Sequence, residues 1–233
     1  MSSRVAAIVL AGGSGSRFGA PVSKIYVSLV GKPMLSHSLA AMDRSRSVDD
    51  IVVVIRQGDR PAFDDAATAA QTSKIRAVVA GDVTRQGSEW AGIKAVRDTC
   101  AEVDLVLLHD AARPLVSLDL IDRLVRQARS AGGGAVPVQP LDQDLIDESG
   151  NLVDTAQLAA VQTPQVFALQ ALLHVYARAM ADGFAGVDTS QTMKAYSDIV
   201  VAAVPGTPHN IKVTHPADLV LAEQRHRHSA HRE

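Results

Sequence analysis

Cysteine is nearly absent from this 233-residue chain. A single residue of that type, Cys100, cannot close an internal disulfide and cannot build a cysteine metal cluster, so a reducing compartment is expected. An excess of either charge is missing too. Lys and Arg total 23 against 25 Asp and Glu, so no overall field draws the chain to nucleic acid or to an anionic membrane, and any attraction for phosphate must be local. No apolar run approaches the roughly 18 residues of a membrane span, and no basic segment followed by a cleavable apolar one opens the chain. These absences make the cytoplasm the expected location. Internal repeats and interdomain linkers are also lacking, which leaves residues 1–233 as one domain.

What is present begins with Val5-Ala6-Ala7-Ile8-Val9-Leu10, an apolar run with the length and composition of a buried strand. It runs directly into Ala11-Gly12-Gly13-Ser14-Gly15-Ser16-Arg17-Phe18-Gly19, with Lys24 five residues on. Glycines at a strand's carboxyl end let backbone N–H groups approach an anion, and Arg17 and Lys24 add fixed positive charge, so the loop is suited to phosphate. It is neither of two commoner phosphate loops. The Gly-x-x-x-x-Gly-Lys-Ser/Thr pattern is missing, and the third glycine of Gly-x-Gly-x-x-Gly comes one residue late, at Gly19.

Further along, the chain alternates between short β-branched runs and helical segments. Residues 34–42 read as helix, 51–55 as strand, 62–70 as helix and 75–80 as strand, which implies a parallel sheet with right-handed crossovers. Gly81-Asp82-Val83-Thr84-Arg85-Gln86-Gly87-Ser88 then opens a helix over 89–97. There Ser88 reads either as an ordinary N-cap with Trp90 in the core, or as a nucleotide ligand with Arg85 beside it. A strand at 103–108 ends in His109-Asp110-Ala111-Ala112-Arg113-Pro114. A carboxylate at that point is suited to hold Mg²⁺ beside bound phosphates, so Asp110 is the metal candidate. Arg113 has a second reading, as an ion-pair partner of Asp110. His109 reads as a packed residue, since no second histidine stands at ligand spacing.

Residues 117–131 form an amphipathic helix stopped by Gly132-Gly133-Gly134, and 135–138 restart a strand. Between 139 and 157 the alternation breaks into a β-arm around Glu148-Ser149-Gly150-Asn151. An isolated two-stranded arm is marginal in water, so a partner subunit is expected to cover it. Thr163-Pro164-Gln165 precedes a helix over 169–181, Val187-Asp188-Thr189 reads as a polar turn, and 199–204 reads as strand. Asn210-Ile211-Lys212-Val213-Thr214 leads to a helix over 216–224, and 225–233, rich in His and Arg, reads as a frayed, flexible tail. The fold class is α/β, a mostly parallel twisted sheet with helices on both faces and a protruding β-arm.

Taken in order, the glycine segment with Arg17 and Lys24, Gly81…Arg85…Ser88, His109 through Pro114, Thr163-Pro164-Gln165 and Asn210 through Thr214 resemble the cytidylyltransferases that act on 2-C-methyl-D-erythritol 4-phosphate. The likeness is collinear from residue 5 to about 224, and the related family acting on ribitol 5-phosphate shares most of these motifs. The resemblance implies a Rossmann-like domain that joins CTP to a polyol phosphate with release of pyrophosphate, serving isoprenoid precursor synthesis. It places Arg17, Lys24 and Lys212 around the triphosphate and the transition state as catalytic residues. Ala11, Gly12, Gly13, Ser14, Gly15, Gly81, Asp82, Ser88 and Asp110 are placed around the nucleotide, Arg113, Thr163 and Asp188 on the acceptor side, and Mg²⁺ on Asp110. It also implies a homodimer formed through the arm.

Several acceptor-side positions depart from that family's pattern. Its Asp-Thr and following Lys on the first arm strand are replaced by Pro140-Leu141-Asp142-Gln143-Asp144-Leu145-Ile146, and its arginine after the second arm strand corresponds to Thr155. Val187-Asp188 stands for Thr-Asp, Ser23 for the proline before Lys24, and Ile25 for the glutamine after it. Losing an arginine and a lysine removes two charge-assisted phosphate hydrogen bonds, on the order of 1.5 to 3 kcal/mol each. Arg113 or Lys194 could compensate, or the acceptor could be another phosphorylated alcohol. A nucleotide-binding protein without turnover is the third reading, and retention of Arg17, Lys24, Asp110 and Lys212 together argues against it.

Overall fold

The computed structural model describes residues 4–13, 23–141 and 143–230. Strand β1 (Arg4–Ala11) lies at the centre of the main sheet, flanked on both sides by parallel neighbours. On one side stand β4 (Asp50–Ile55) and β5 (Ile75–Ala80); on the other stands β6 (Val103–Asp110). The chain therefore builds outward from β1 through β4 to β5, then returns to its other side for β6. Where the order reverses, the carboxyl ends of β1 and its neighbours leave a crevice in which ligands of open α/β sheets bind.

Side-chain alternation explains why these runs are apolar throughout. Val5, Ala7 and Val9 face one hydrophobic core, while Ala6 and Ile8 face the other. Helices α1 (Met34–Arg44), α2 (Arg60–Ala70) and α4 (Leu118–Ala131) cover the first face through Leu35, Leu39, Phe63, Leu120 and Leu124. Helices α3 (Arg85–Thr99) and α5 (Leu169–Ala181) cover the second through Ile93, Val96, Leu172 and Tyr176. Helix α3 approaches the sheet closely at Gly92, where a Cβ would come within 2.6 Å of Ile8 Cγ2. Helix α4 begins as expected, with the Ser117 side chain accepting the Leu120 N–H, and ends at Gly132 in the left-handed conformation.

Differences from the sequence reading begin with α3 and the small ladder before α1 and are most extensive after β6. Helix α3 starts at Arg85, four residues early, because Thr84 is the N-cap and accepts the Gly87 N–H; Ser88 lies inside the first turn and is not a cap. Strand β7 (Gly134–Pro140) does not pair with β6. An unexpected antiparallel strand, β11 (Gln165–Ala168), is inserted between them, preceded by β10 (Ala159–Val161) along β7. The edge strand β12 (Val201–Pro205) runs parallel to β7. The arm is a hairpin of β8 (Leu145–Ile146) and β9 (Leu152–Val153). A small ladder of β2 (Ser28–Leu29) and β3 (Lys32–Pro33) precedes α1.

The polar turn at Val187-Asp188-Thr189 is instead the start of helix α6 (Thr189–Tyr196), capped by Asp188 through the Ser190 N–H. The last helix, α7 (Pro216–Ala230), continues through residues expected to fray, with His226 packed edge-on to His37 at 5.0 Å. Among the described residues, no helix is long and apolar enough to cross a membrane.

Candidate active site

A cavity of about 670 Å³ opens at the carboxyl ends of β1, β4, β5 and β6. Its lining includes Gly12 and Gly13 after β1, Arg56 and Gln57 after β4, Gly81 and Asp82 after β5, and Asp110 at the end of β6. Lys24, from a single 3₁₀ turn at Lys24–Tyr26, and Lys212 complete the wall. Four cationic and two acidic side chains, Asp82 and Asp110, thus face the space among the described residues, so the local field favours an anion even though the whole chain is slightly acidic.

Asp110 is the electrostatic centre of this wall. Its carboxylate is nearly buried; Oδ1 accepts from Arg85 Nη1 at 2.6 Å and Oδ2 pairs with Lys212 Nζ at 2.7 Å. Burial alone would raise its pKa, but the charges of Arg85 and Lys212, the Lys212 hydrogen bond and the more distant Arg113 outweigh that and hold the group well below the usual carboxylate range. The second reading of Arg113, as an ion-pair partner of Asp110, is not realised among the described residues. Arg113 Nη1 instead donates to the Asn210 carbonyl at 2.8 Å, and the tertiary fold supplies Arg85 and Lys212 in its place.

The separate sequence motifs are joined here by hydrogen bonds. The Asp110 N–H donates to Thr163 Oγ1 at 3.0 Å, Asn210 Nδ2 donates to the Thr163 carbonyl at 2.8 Å, and the Val213 N–H donates to the Ala112 carbonyl at 2.8 Å. Lys212 is consequently carried on a segment fastened to the strand end that carries Asp110. His109 is fully buried against the Arg113 carbonyl and Thr163, and burial pushes its imidazole down to about 4.

On the opposite wall, Ser88 Oγ accepts the Asp82 N–H at 2.9 Å and fixes the turn after β5. Gly81 is needed there, since a Cβ would come within 2.8 Å of that same oxygen. Behind this turn Arg85 Nε reaches Glu89 Oε1 at 3.0 Å. The Glu89 carboxyl is raised by burial, against the pull of Arg85 and of hydrogen bonds from Tyr176 and Thr189.

A model of the family described as 2-C-methyl-D-erythritol 4-phosphate cytidylyltransferase (IspD) matches residues 5–227. The chain belongs to this family. It is 39% identical to a 2-C-methyl-D-erythritol 4-phosphate cytidylyltransferase of Thermobifida fusca (strain YX) over 230 residues, covering 94% of this chain and 92% of that one. A protein of the same description from Geobacter metallireducens is 35% identical, covering 94% and 96%. Among solved structures, the cytidylyltransferase of Thermus thermophilus superposes with a TM-score of 0.78 at 31% identity, covering 96% of this chain and 99% of that one. The 4-diphosphocytidyl-2C-methyl-D-erythritol synthase of Anaerococcus prevotii gives 0.83 at 27%, covering 97% and 96%.

Within this cytidylyltransferase fold, the expected residues divide into three groups. Ala11, Gly12, Gly13, Lys24, Gly81, Asp82, Ser88, Asp110 and Lys212 all line the one cavity. Ser14, Gly15 and Arg17 lie outside the described residues. Arg113, Thr163 and Asp188 do not line it: Thr163 is buried beneath Asp110, and Asp188 caps α6 while accepting from Gln165 Nε2 at 2.9 and 3.0 Å. Arg56 and Gln57 were missed. The signal for them was present, because they directly follow the buried β-branched run of β4, where the carboxyl-end rule already pointed.

Proposed function

We propose that this chain joins CTP to 2-C-methyl-D-erythritol 4-phosphate and releases pyrophosphate, in the cytoplasm, as a step of isoprenoid precursor synthesis. The observation that carries the reading is the Arg85–Asp110–Lys212 arrangement, set in the same cavity wall as Gly12, Gly13 and Lys24. An oxygen of the acceptor phosphate forms a bond to the α-phosphorus of CTP, and the bond from that phosphorus to the bridging oxygen breaks as pyrophosphate leaves. The nucleophile is already anionic, so no general base is needed. Catalysis consists of alignment and of positive charge where negative charge accumulates. Lys24, Lys212 and Arg17 supply that charge, and backbone N–H groups around Gly12, Gly13 and Gly81 approach the nucleotide.

Mg²⁺ fits the donor set in one way. Among the described residues no group of three or more His, Cys, Asp or Glu could hold a metal. Mg²⁺, however, is commonly held by one or two carboxylates together with substrate phosphates, and each Asp110 oxygen retains a lone pair beyond the single contact it makes. Asp110 would therefore hold the ion jointly with the triphosphate, where it neutralises phosphate charge.

On the acceptor side we assign Arg113 and Asp188, whose charges act on each other and on Arg85. Thr163 serves by holding the Asp110 backbone. The arm forms a homodimer surface, a reading supported by Ile146 and Leu152, which stand 67% and 75% exposed on a hairpin too short to be stable alone. The family relatives support methylerythritol phosphate as acceptor, and no observation favours ribitol phosphate or a protein without turnover. The test is pyrophosphate release with CTP and Mg²⁺ over a panel of phosphorylated alcohols. Failure with methylerythritol phosphate would overturn the assignment.

A further inference from the structure

Glu89 is a buried charge beside the cavity that the transfer chemistry does not itself require. It lies on α3 one turn after Arg85, is 1% exposed, and shares its helix with the core residues Ile93 and Val96. Its Oε1 accepts from Arg85 Nε at 3.0 Å and from Thr189 Oγ1 at 2.8 Å, and its Oε2 accepts from the Tyr176 hydroxyl at 2.6 Å. Removing a carboxylate from water is costly, and a buried ion pair is seldom better for stability than apolar residues packed in its place. A role in placement accounts better for its presence.

The geometry of Arg85 indicates what is being placed. A guanidinium facing a carboxylate tends to pair through two parallel hydrogen bonds and so to occupy both oxygens. Arg85 does not. Its Nη1 meets Asp110 Oδ1 alone, its Nε is turned to Glu89, and its Nη2 is buried without a hydrogen-bond partner among the described residues. The second Asp110 oxygen is consequently left for Lys212. A guanidinium released from Glu89 could rotate, take both oxygens and displace the lysine.

We propose that Glu89 is a positioning residue, held by Tyr176 and Thr189, which confines Arg85 to a one-point contact with Asp110 and so reserves the other oxygen for Lys212. The inference rests on the cytidylyl-transfer reading for its kinetic consequence, whereas its structural consequence stands independently. The experiment compares wild type with Glu89→Leu and Glu89→Gln by crystal structure, equilibrium CTP binding and turnover, at a temperature where circular dichroism finds each folded.

In Glu89→Leu, Arg85 should pair with both Asp110 oxygens and Lys212 Nζ should leave. The kcat should fall about tenfold while CTP affinity stays within about threefold, the pattern of a lost transition-state interaction. Glu89→Gln keeps an amide oxygen for Arg85 Nε and should recover most of the rate. Should Glu89→Leu not fold, Tyr176→Phe removes one of the donors to Glu89 and should loosen Arg85, with a loss of kcat of about threefold. An unchanged Lys212–Asp110 pair in the folded variant, or a kcat within about twofold of wild type, would overturn the proposal. If wild type turned over no acceptor, the cytidylyl-transfer reading would fall, and the Arg85 geometry in the variant structures would still decide the role of Glu89.

Discussion

Lys212 and Asp110 make one ion pair, but their loss should have different effects. Lys212 is 37% exposed and leaves Asp110 still paired with Arg85, so Lys212→Ala should lower kcat about tenfold or more with little change in melting temperature. Asp110→Ala instead leaves the largely buried Arg85 with Glu89 but with its Nη1 unsatisfied, and a loss of about 1 to 3 kcal/mol in unfolding free energy is expected alongside the lost activity. Urea titrations of both variants, set beside their kinetics, check this contrast; equal destabilisation would refute it. Residue types were legible at this scale, but partners were not. Asp110 was recognisable from its place at a strand end. Its pairing with Lys212, and the preference of Arg113 for the Asn210 carbonyl, depend on a chain return through β11 and β12 that no local pattern encodes.

At the scale of elements, the closeness of α3 to the sheet determines where Arg85 and Ser88 stand. Gly92 permits that approach, so Gly92→Leu should force α3 off Ile8 and cost about 2 kcal/mol or more in unfolding free energy. Unchanged stability by chemical denaturation would contradict it. The elements read correctly from sequence include those with a distinct period and clear punctuation, the β-branched parallel strands and α4 between Ser117 and Gly132, together with α1, α2, α5 and the arm hairpin. Those missed lack both signals. Strands β10 and β11 have three and four residues, too few to display alternation. Helix α6, Thr-Ser-Gln-Thr-Met-Lys-Ala-Tyr, buries two threonines and one methionine and so presents no apolar stripe. The end of α7 was obscured by its His and Arg content, which resembles a solvated tail although the helix continues and packs on α1 through His226.

For the whole molecule, the same burial that orders the site links stability to pH. His109 has its folded value depressed from about 6.5 to about 4, so its contribution is fully present above pH 6.5 and is lost as pH falls toward 4. The loss should amount to about 3 kcal/mol, to which His37, also lowered by burial, adds in the same direction. Unfolding free energies measured from pH 7 to pH 5 should therefore decline, and more steeply for wild type than for His109→Gln; parallel slopes would be inconsistent with a buried neutral imidazole. Assembly is tested at this scale as well. Ile146→Asp with Leu152→Asp should shift the sedimentation coefficient from dimer to monomer, and a wild-type monomer would remove the role given to the arm.

The central claim, that this cavity carries out cytidylyl transfer to methylerythritol phosphate, is tested most directly by pyrophosphate release. The assay contains CTP and Mg²⁺ with methylerythritol 4-phosphate, ribitol 5-phosphate, erythritol 4-phosphate or sugar 1-phosphates. The account predicts efficient release with methylerythritol 4-phosphate, abolished by chelation of the divalent cation and strongly reduced in Lys24→Ala and Lys212→Ala. Release with another acceptor alone, or undiminished release in both lysine variants, would contradict it.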